Sequence, residues 1–331
     1  MGHPLRTAII GCGLIGRKRA RALSNATVSV CCDVNQDRAC SLAKEYSAQA
    51  VADWKEVVRN PDIDVVCVAT THDVLPLIAE QAASHGKHVL VEKPAARRAT
   101  ELEPVKAAAA RTGALIRVGF NHRYHRAFRK AREIFETGAL GRMMFIRARY
   151  GHGGRPGYDK EWRSDPKISG GGEGIDQGMH LVDLARWFLG EFVHVGGHAA
   201  TYYWKMPVDD NSFYLLRTAD NRTAFLHASC TEWKNTFNFE IAGELGKLEI
   251  TGLGGSYGVE RLAHYHMLPQ MGPPETTIFE YPMEDDSWQR EWNAFATDIE
   301  LGRQPVPGVE DAQAALRIVE GVYRNSGMEL A

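Results

Sequence analysis

Gly11-x-Gly13-x-x-Gly16 lies between an apolar run at 8–10 and a basic helical stretch, with Leu14 and Ile15 completing the turn. That order suits the phosphates of a dinucleotide. A strand ends, a turn with little side-chain bulk lets backbone N–H groups approach a pyrophosphate, and a helix N-terminus adds partial positive charge. Three glycines alone say little in a chain that has 32. Their context says more: VSVCCD at 28–33 reads as the next buried strand and ends in Asp33, about 20 residues beyond the turn, where a carboxylate accepts hydrogen bonds from ribose hydroxyls. A carboxylate there repels a 2′-phosphate, so the pattern favours NAD over NADP. Arg38, a few residues on, either helps to hold such a phosphate, packs on the adenine or is solvated.

Glu92-Lys93-Pro94 closes the strand-like KHVLVEK. Carboxyl ends of parallel strands are where doubly wound domains place ligands, and an ammonium fixed there stabilises alkoxide character as a secondary alcohol loses hydride. A third group lies in GGGEGIDQGMHLVDLARWFLG at 170–190, where Asp176 and His180 are four apart and share a helix face. A histidine beside a carboxylate suits removal of a hydroxyl proton. Each of these two groups also has a plain structural reading, a surface Glu-Lys pair and a helix-stabilising Asp–His pair. The loop at 147–172 adds Tyr150, Tyr158 and Trp162 with Arg155 and Arg163, and Arg123 lies upstream. Aromatic faces beside planar donors suit a hydroxylated ring, with the arginines leaning toward an acidic or nucleotide-activated one.

The elements that must position these residues alternate strand and helix through about residue 122, then turn to consecutive strands with short turns. The expectation is an α/β Rossmann domain at 1–122 followed by an α+β domain at 123–331 with an open, largely antiparallel sheet, a C-terminal helix packing back on the first domain. The active site is expected in the crevice between them. Helices are expected at 36–46, 74–85, 98–112, 174–189, 286–301 and 309–325.

With 331 residues, 44% hydrophobic and 24% charged, the composition is that of a two-domain globular protein. A formal net charge of −2 argues against nucleic acid or anionic membrane as partner. No apolar stretch has the length of a membrane span, and residues 1–7 carry no signal-peptide pattern, which points to the cytoplasm. The six cysteines form no CxxC pair and have no histidines at metal-ligand spacing, so no metal and no disulfide framework is expected. Aromatics in VHVGGHAATYYW and RLAHYHML on the free face of the sheet point to a homodimer or homotetramer.

Taken in order, the glycine turn, EKP and the glycine-led Asp-x-x-x-His helix resemble the Gfo/Idh/MocA family of NAD(P)-dependent oxidoreductases. NHRYHRAFRKAREIFETGALG at 121–141 and EDAQAALRIVEGVYRNS at 310–326 extend the resemblance over essentially the whole chain. It implies that Lys93 polarises the reacting oxygen, that His180 is the general acid or base, and that Asp176 orients His180 or binds a neighbouring hydroxyl. Which of Lys93 and His180 carries the proton stays open. It also implies cofactor contacts from Thr70, Thr71, His72, Glu92 and Asn121. The activity implied is NAD-dependent oxidation of a secondary hydroxyl on a sugar or sugar derivative. A cyclitol dehydrogenase is the alternative, and a non-catalytic cofactor-binding regulator is a reading of another class.

Overall fold

The computed structural model describes residues 4–328. The described residues through Phe120 form one compact unit together with Trp288–Ala314; Asn121–Ser287 and the described residues from Ala315 onward form a second. Among the described residues no helix is long and apolar enough to cross a membrane.

Six strands make the sheet of the first unit: β1 (Leu5–Ile10), β2 (Ala26–Cys32), β3 (Gln49–Val51), β4 (Val65–Val68), β5 (His88–Glu92) and β6 (Ile116–Gly119). Their order is β3-β2-β1-β4-β5-β6, all parallel. This is the doubly wound nucleotide-binding order, with its switch point between β1 and β4. Every residue of β4 and β6 is buried: β4 is apolar throughout rather than alternating, and the one charged residue of β6, Arg117, is paired with Asp298. Ile9, Val65 and Leu90 share a core with Trp292 and Phe295 from the helix Ser287–Glu300. The part of this unit that comes from beyond residue 122 is therefore a penultimate helix and the segment after it. Arg19, on the helix Leu14–Ala22, is buried with Nε 2.5 Å from Glu92 Oε1 and Nη1 2.5 Å from Glu291 Oε2. Gly119 makes room for it, since a Cβ there would stand 2.5 Å from Arg19 Nη2.

The second sheet has eight strands: β7 (Met143–Gly151), β8 (Phe192–Ala200), β9 (Asn211–Thr218), β10 (Thr223–Ser229), β11 (Thr236–Gly243), β12 (Gly246–Thr251), β13 (Glu260–His266) and β14 (Glu275–Tyr281). In the order β14-β13-β12-β11-β7-β10-β9-β8, only β7 and β10 pair in parallel. The open, largely antiparallel sheet expected from the strand-turn pattern is what forms. Tyr214 and Leu216 point inward while Leu215 and Arg217 point out. The helices Arg126–Glu136 and Gly178–Leu189 pack on the inner face.

The helix expected over 174–189 is interrupted. It runs as Glu173–Asp176 and then Gly178–Leu189. In a continuous helix the Gly174 carbonyl would accept from residue 178; here it accepts from Tyr214 Oη at 3.0 Å. Gly178 lets the ring in, because a Cβ there would stand 2.5 Å from that hydroxyl. Upstream, the fully buried Asp209 accepts from Gly172 N–H (2.8 Å), Gly174 N–H (2.7 Å), Ser212 Oγ (2.8 Å) and Tyr323 Oη (2.7 Å). Burial pushes its carboxyl above the usual range, and these hydrogen bonds pull it back only in part. Asparagine at 209 would turn an N–H toward one of the two backbone donors in either orientation. Asp209→Asn is expected to destabilise the protein by about 2 kcal/mol or more, measured by urea unfolding.

Candidate active site

The first unit supplies a turn shaped for phosphates. Gly11 has φ +93°, and its N–H donates to the Cys32 carbonyl at 2.8 Å. A Cβ on Gly11 would stand 2.4 Å from the Ala69 carbonyl oxygen, and one on Gly16 would stand 1.8 Å from the Gly11 carbonyl oxygen. Both positions require glycine so that strand, turn and helix can approach one another. At Gly13, by contrast, nothing lies within 4 Å of an added Cβ. Gly13 is also the N-cap of the helix Leu14–Ala22 and offers no side chain to its first N–H groups, and the first turn has no acidic residue. Open space over uncapped N–H groups fits a pyrophosphate.

Asp33 follows β2 and is 9% exposed, its Oδ2 accepting from Cys12 N–H and its Oδ1 from Asn35 N–H, both at 2.8 Å. The carboxylate is thus anchored to the glycine turn itself, ready for ribose hydroxyls. Leu14 (74% exposed) and Val34 (92% exposed) are apolar surface that a bound adenosine would cover. Ile15 follows Leu14 and is half-buried, and Arg38 is exposed on the helix Gln36–Tyr46, whose N-cap Asn35 accepts its N–H at 3.1 Å. After β4, Thr70 Oγ1 donates to the Thr71 carbonyl, Thr71 Oγ1 to Asp73 at 2.6 Å, and His72 is buried. Glu92 at the end of β5 is held by Arg19, while Lys93, next along, is half-buried and followed by a cis bond to Pro94. NAD fits this donor set; when bound it supplies the hydride acceptor.

The second unit supplies a buried acid–base cluster. His180, 4% exposed in the first turn of the helix Gly178–Leu189, is stacked on His122 with centroids 3.7 Å apart and planes 16° apart. Asp176, on the short helix before it, accepts from Arg163 Nε at 2.9 Å, and the Arg163 guanidinium lies over the Trp162 ring at 4.5 Å. Tyr150 of β7 is buried 6.3 Å from His180 and 5.1 Å from Tyr257, ring to ring. Tyr158 Oη donates to Glu173 Oε1 at 2.7 Å; burial and then the charge of Glu173 push that phenol up, so it stays protonated. His152 Nε2 lies 3.4 Å from the same oxygen.

Arg123, Arg155 and Arg163, singled out in the sequence, each pair with a carboxylate. Arg155 is exposed and paired with Glu161 at 2.7 Å. Arg123 is buried, its Nε and Nη2 bonded to the two carboxylate oxygens of Asp183 at 2.8 and 2.6 Å. It braces the helix Gly178–Leu189 rather than joining the loop arginines. Asn121 Nδ2 donates to Ser287 Oγ at 3.0 Å. His122, Glu173, Tyr257 and Asp209 are the residues that sequence reading passed over. Only His122 left a trace, in the NHRYH run directly after the strand at 115–120.

A dinucleotide turn at the switch point, with a lysine at a strand end and a buried histidine in a second sheet unit, defines a nicotinamide-dependent oxidoreductase. Residues 5–120 match the family model described as "Oxidoreductase family, NAD-binding Rossmann fold", and residues 128–249 match "GFO/IDH/MocA C-terminal domain". The chain belongs to the Gfo/Idh/MocA family of oxidoreductases. It is 28% identical over 228 residues to levoglucosan dehydrogenase of Pseudarthrobacter phenanthrenivorans, a match spanning 65% of this chain and 58% of that protein. It is 25% identical over 338 residues to the NAD(+)-dependent scyllo-inositol 2-dehydrogenase of Bacillus subtilis, spanning 97% and 93% of the two chains. Among solved structures, a levoglucosan dehydrogenase complex with NADH shares the fold at a TM-score of 0.87, with 23% identity and coverage of 98% and 97%.

The close approach at Gly16 yields a direct test. Gly16→Ala is expected to weaken NADH binding by about a hundredfold or more, read from the fluorescence of the bound dinucleotide, while the far-ultraviolet circular dichroism stays that of a folded protein.

Proposed function

We propose that this protein is an NAD-dependent dehydrogenase that oxidises a secondary hydroxyl of a neutral sugar or cyclitol ring to a ketone. The observation that carries the reading is His180, buried at the start of its helix on the same segment as the Asp176–Arg163 pair. Its imidazole takes the hydroxyl proton, and Asp176, already oriented by Arg163, accepts a hydrogen bond from a neighbouring hydroxyl. Lys93 stabilises negative charge as it develops on the reacting oxygen.

Preference for a neutral ring is supported by the pairing of the arginines. Arg123, Arg155 and Arg163 each face a carboxylate, which offsets the charge that an acidic or nucleotide-activated substrate would need. The named activities of the two relatives, on levoglucosan and scyllo-inositol, point the same way. The regulator reading is disfavoured because Lys93 and His180 are both present. A cytoplasmic location is part of the proposal, supported by cysteines at 12, 31, 32, 40, 67 and 230 that form no disulfide among the described residues.

The experiment is NADH formation at 340 nm from NAD, and separately NADP, across cyclitols, anhydrosugars, hexoses and uronates. Turnover of a neutral ring with NAD is expected, with Lys93→Ala and His180→Ala each losing about a thousandfold or more in kcat. Tight NADH binding without turnover of any ring would favour the regulator; turnover confined to uronates would overturn the neutral-ring preference.

Self-association through the outer face of the second sheet is the further part of the proposal. Leu215 and Phe225 pair across β9 and β10 on that face, with Phe145 on the neighbouring β7, and all three are exposed. The patch is centred there rather than on RLAHYHML, whose Tyr265 is bonded to Glu249. Light scattering at micromolar concentration is expected to give a dimer or tetramer that Leu215→Asp dissociates; a monomeric mass for the unaltered protein would refute the assembly.

A further inference from the structure

We propose that His122 is a positioning residue that sets the ring plane of His180, an inference that rests on the acid–base reading of His180. The last torsion of a histidine is broad and roughly two-fold, so burial alone leaves open where its two nitrogens point. A proton acceptor needs that direction fixed within hydrogen-bond reach of its substrate. The His180 ring comes from the helix Gly178–Leu189, and His122 comes from a separate short 3-10 helix, Asn121–Tyr124. Their faces lie 3.7 Å apart and within 16° of parallel, and both rings are buried. Stacking at this spacing blocks rotation of His180 out of its plane, because either edge would sweep into the neighbouring ring.

His122 is itself held at its edges. Its Nδ1 lies 3.2 Å from Asn121 Oδ1, and because the Asn121 amide nitrogen donates to Ser287, that oxygen is left to accept the Nδ1 proton. The rings of His125 and Tyr150 stand 5.4 and 5.3 Å away, and His125 is anchored by Glu260 at 2.9 Å. A ring fixed on three sides is a firm wall for the one stacked on it. The role needs a flat ring and not a second base, so phenylalanine should serve where alanine should not.

The test compares the unaltered protein with His122→Ala, His122→Phe and His180→Ala. Initial rates are taken with NAD and the ring of the panel above, levoglucosan and scyllo-inositol included, that is oxidised fastest. His122→Ala is expected to lower kcat by about tenfold to a hundredfold with KM for NAD unchanged, and His122→Phe to restore most of it. Without any substrate, the ring-proton resonances of His180 should be displaced by the stacked ring in the unaltered protein and in His122→Phe, and should return toward ordinary values in His122→Ala. Unchanged kcat in His122→Ala, or loss that His122→Phe does not restore, overturns the inference, as do His180 resonances indifferent to residue 122. Full activity in His180→Ala, or no oxidation of any ring of the panel above by the unaltered protein, instead overturns the reading beneath it.

Discussion

A buried guanidinium ties the first unit together. Arg19 begins on the helix that opens from the glycine turn, and it ends between Glu92, the residue before Lys93, and Glu291 on the late helix. A lone charge in such a place is costly, and removing one partner of a buried pair typically costs about 3–5 kcal/mol, because the other charge is left uncompensated. The geometry therefore holds only as a set. The phosphate-binding turn, the strand end that presents the lysine and the closing helix share one electrostatic knot. A Cβ at 119 would press on it directly, 2.5 Å from Arg19 Nη2 and 3.1 Å from a Glu92 carboxylate oxygen.

The second unit answers the same need with the opposite charge and with neutral donors. Asp209 gathers two backbone N–H groups and two hydroxyls, and in doing so fixes the glycine-rich turn that leads to Asp176 and His180. Tyr214 then takes the Gly174 carbonyl and restarts the helix two residues before His180. The histidine lies in the first turn of a helix because that restart puts it there. In both units the segment thought to do chemistry is short, glycine-bearing and anchored from beneath by a buried ionisable group.

Much of this was legible in sequence because each signal was local. Apolar runs marked β1, β2 and β5, and the helices Gln36–Tyr46 and Val309–Asn325 fall where their periodicity puts them. β14 left no such mark. It is an edge strand whose residues are mostly exposed, so its sequence has no buried face to alternate against. The break at Gln177 was hidden as well, since its cause is a hydroxyl 40 residues away in sequence. The partners of the arginines were hidden for the same reason. A run of basic residues shows charge but not the carboxylates that fold onto it, and Asp183 lies 60 residues from Arg123. His122 carried a visible residue type and an invisible neighbour.

The presence of Trp292, Phe295, Glu291 and Asp298 in the first unit has a consequence for how the chain is made. Asp298 pairs with Arg117 at 2.5 Å, and the Pro307 carbonyl accepts from Val118 N–H, so even β6 is finished by residues 181 or more positions later in the chain. Synthesis delivers the glycine turn well before the parts that neutralise and cover its support, Glu291 standing 272 residues after Arg19. A nascent chain long enough to show all six strands still carries Arg19 without Glu291 and a core open where two aromatic rings belong. The nucleotide-binding unit is completed only after residues 121–287 of the other unit have been made, and it is not one continuous fragment. The two units are interleaved along the chain.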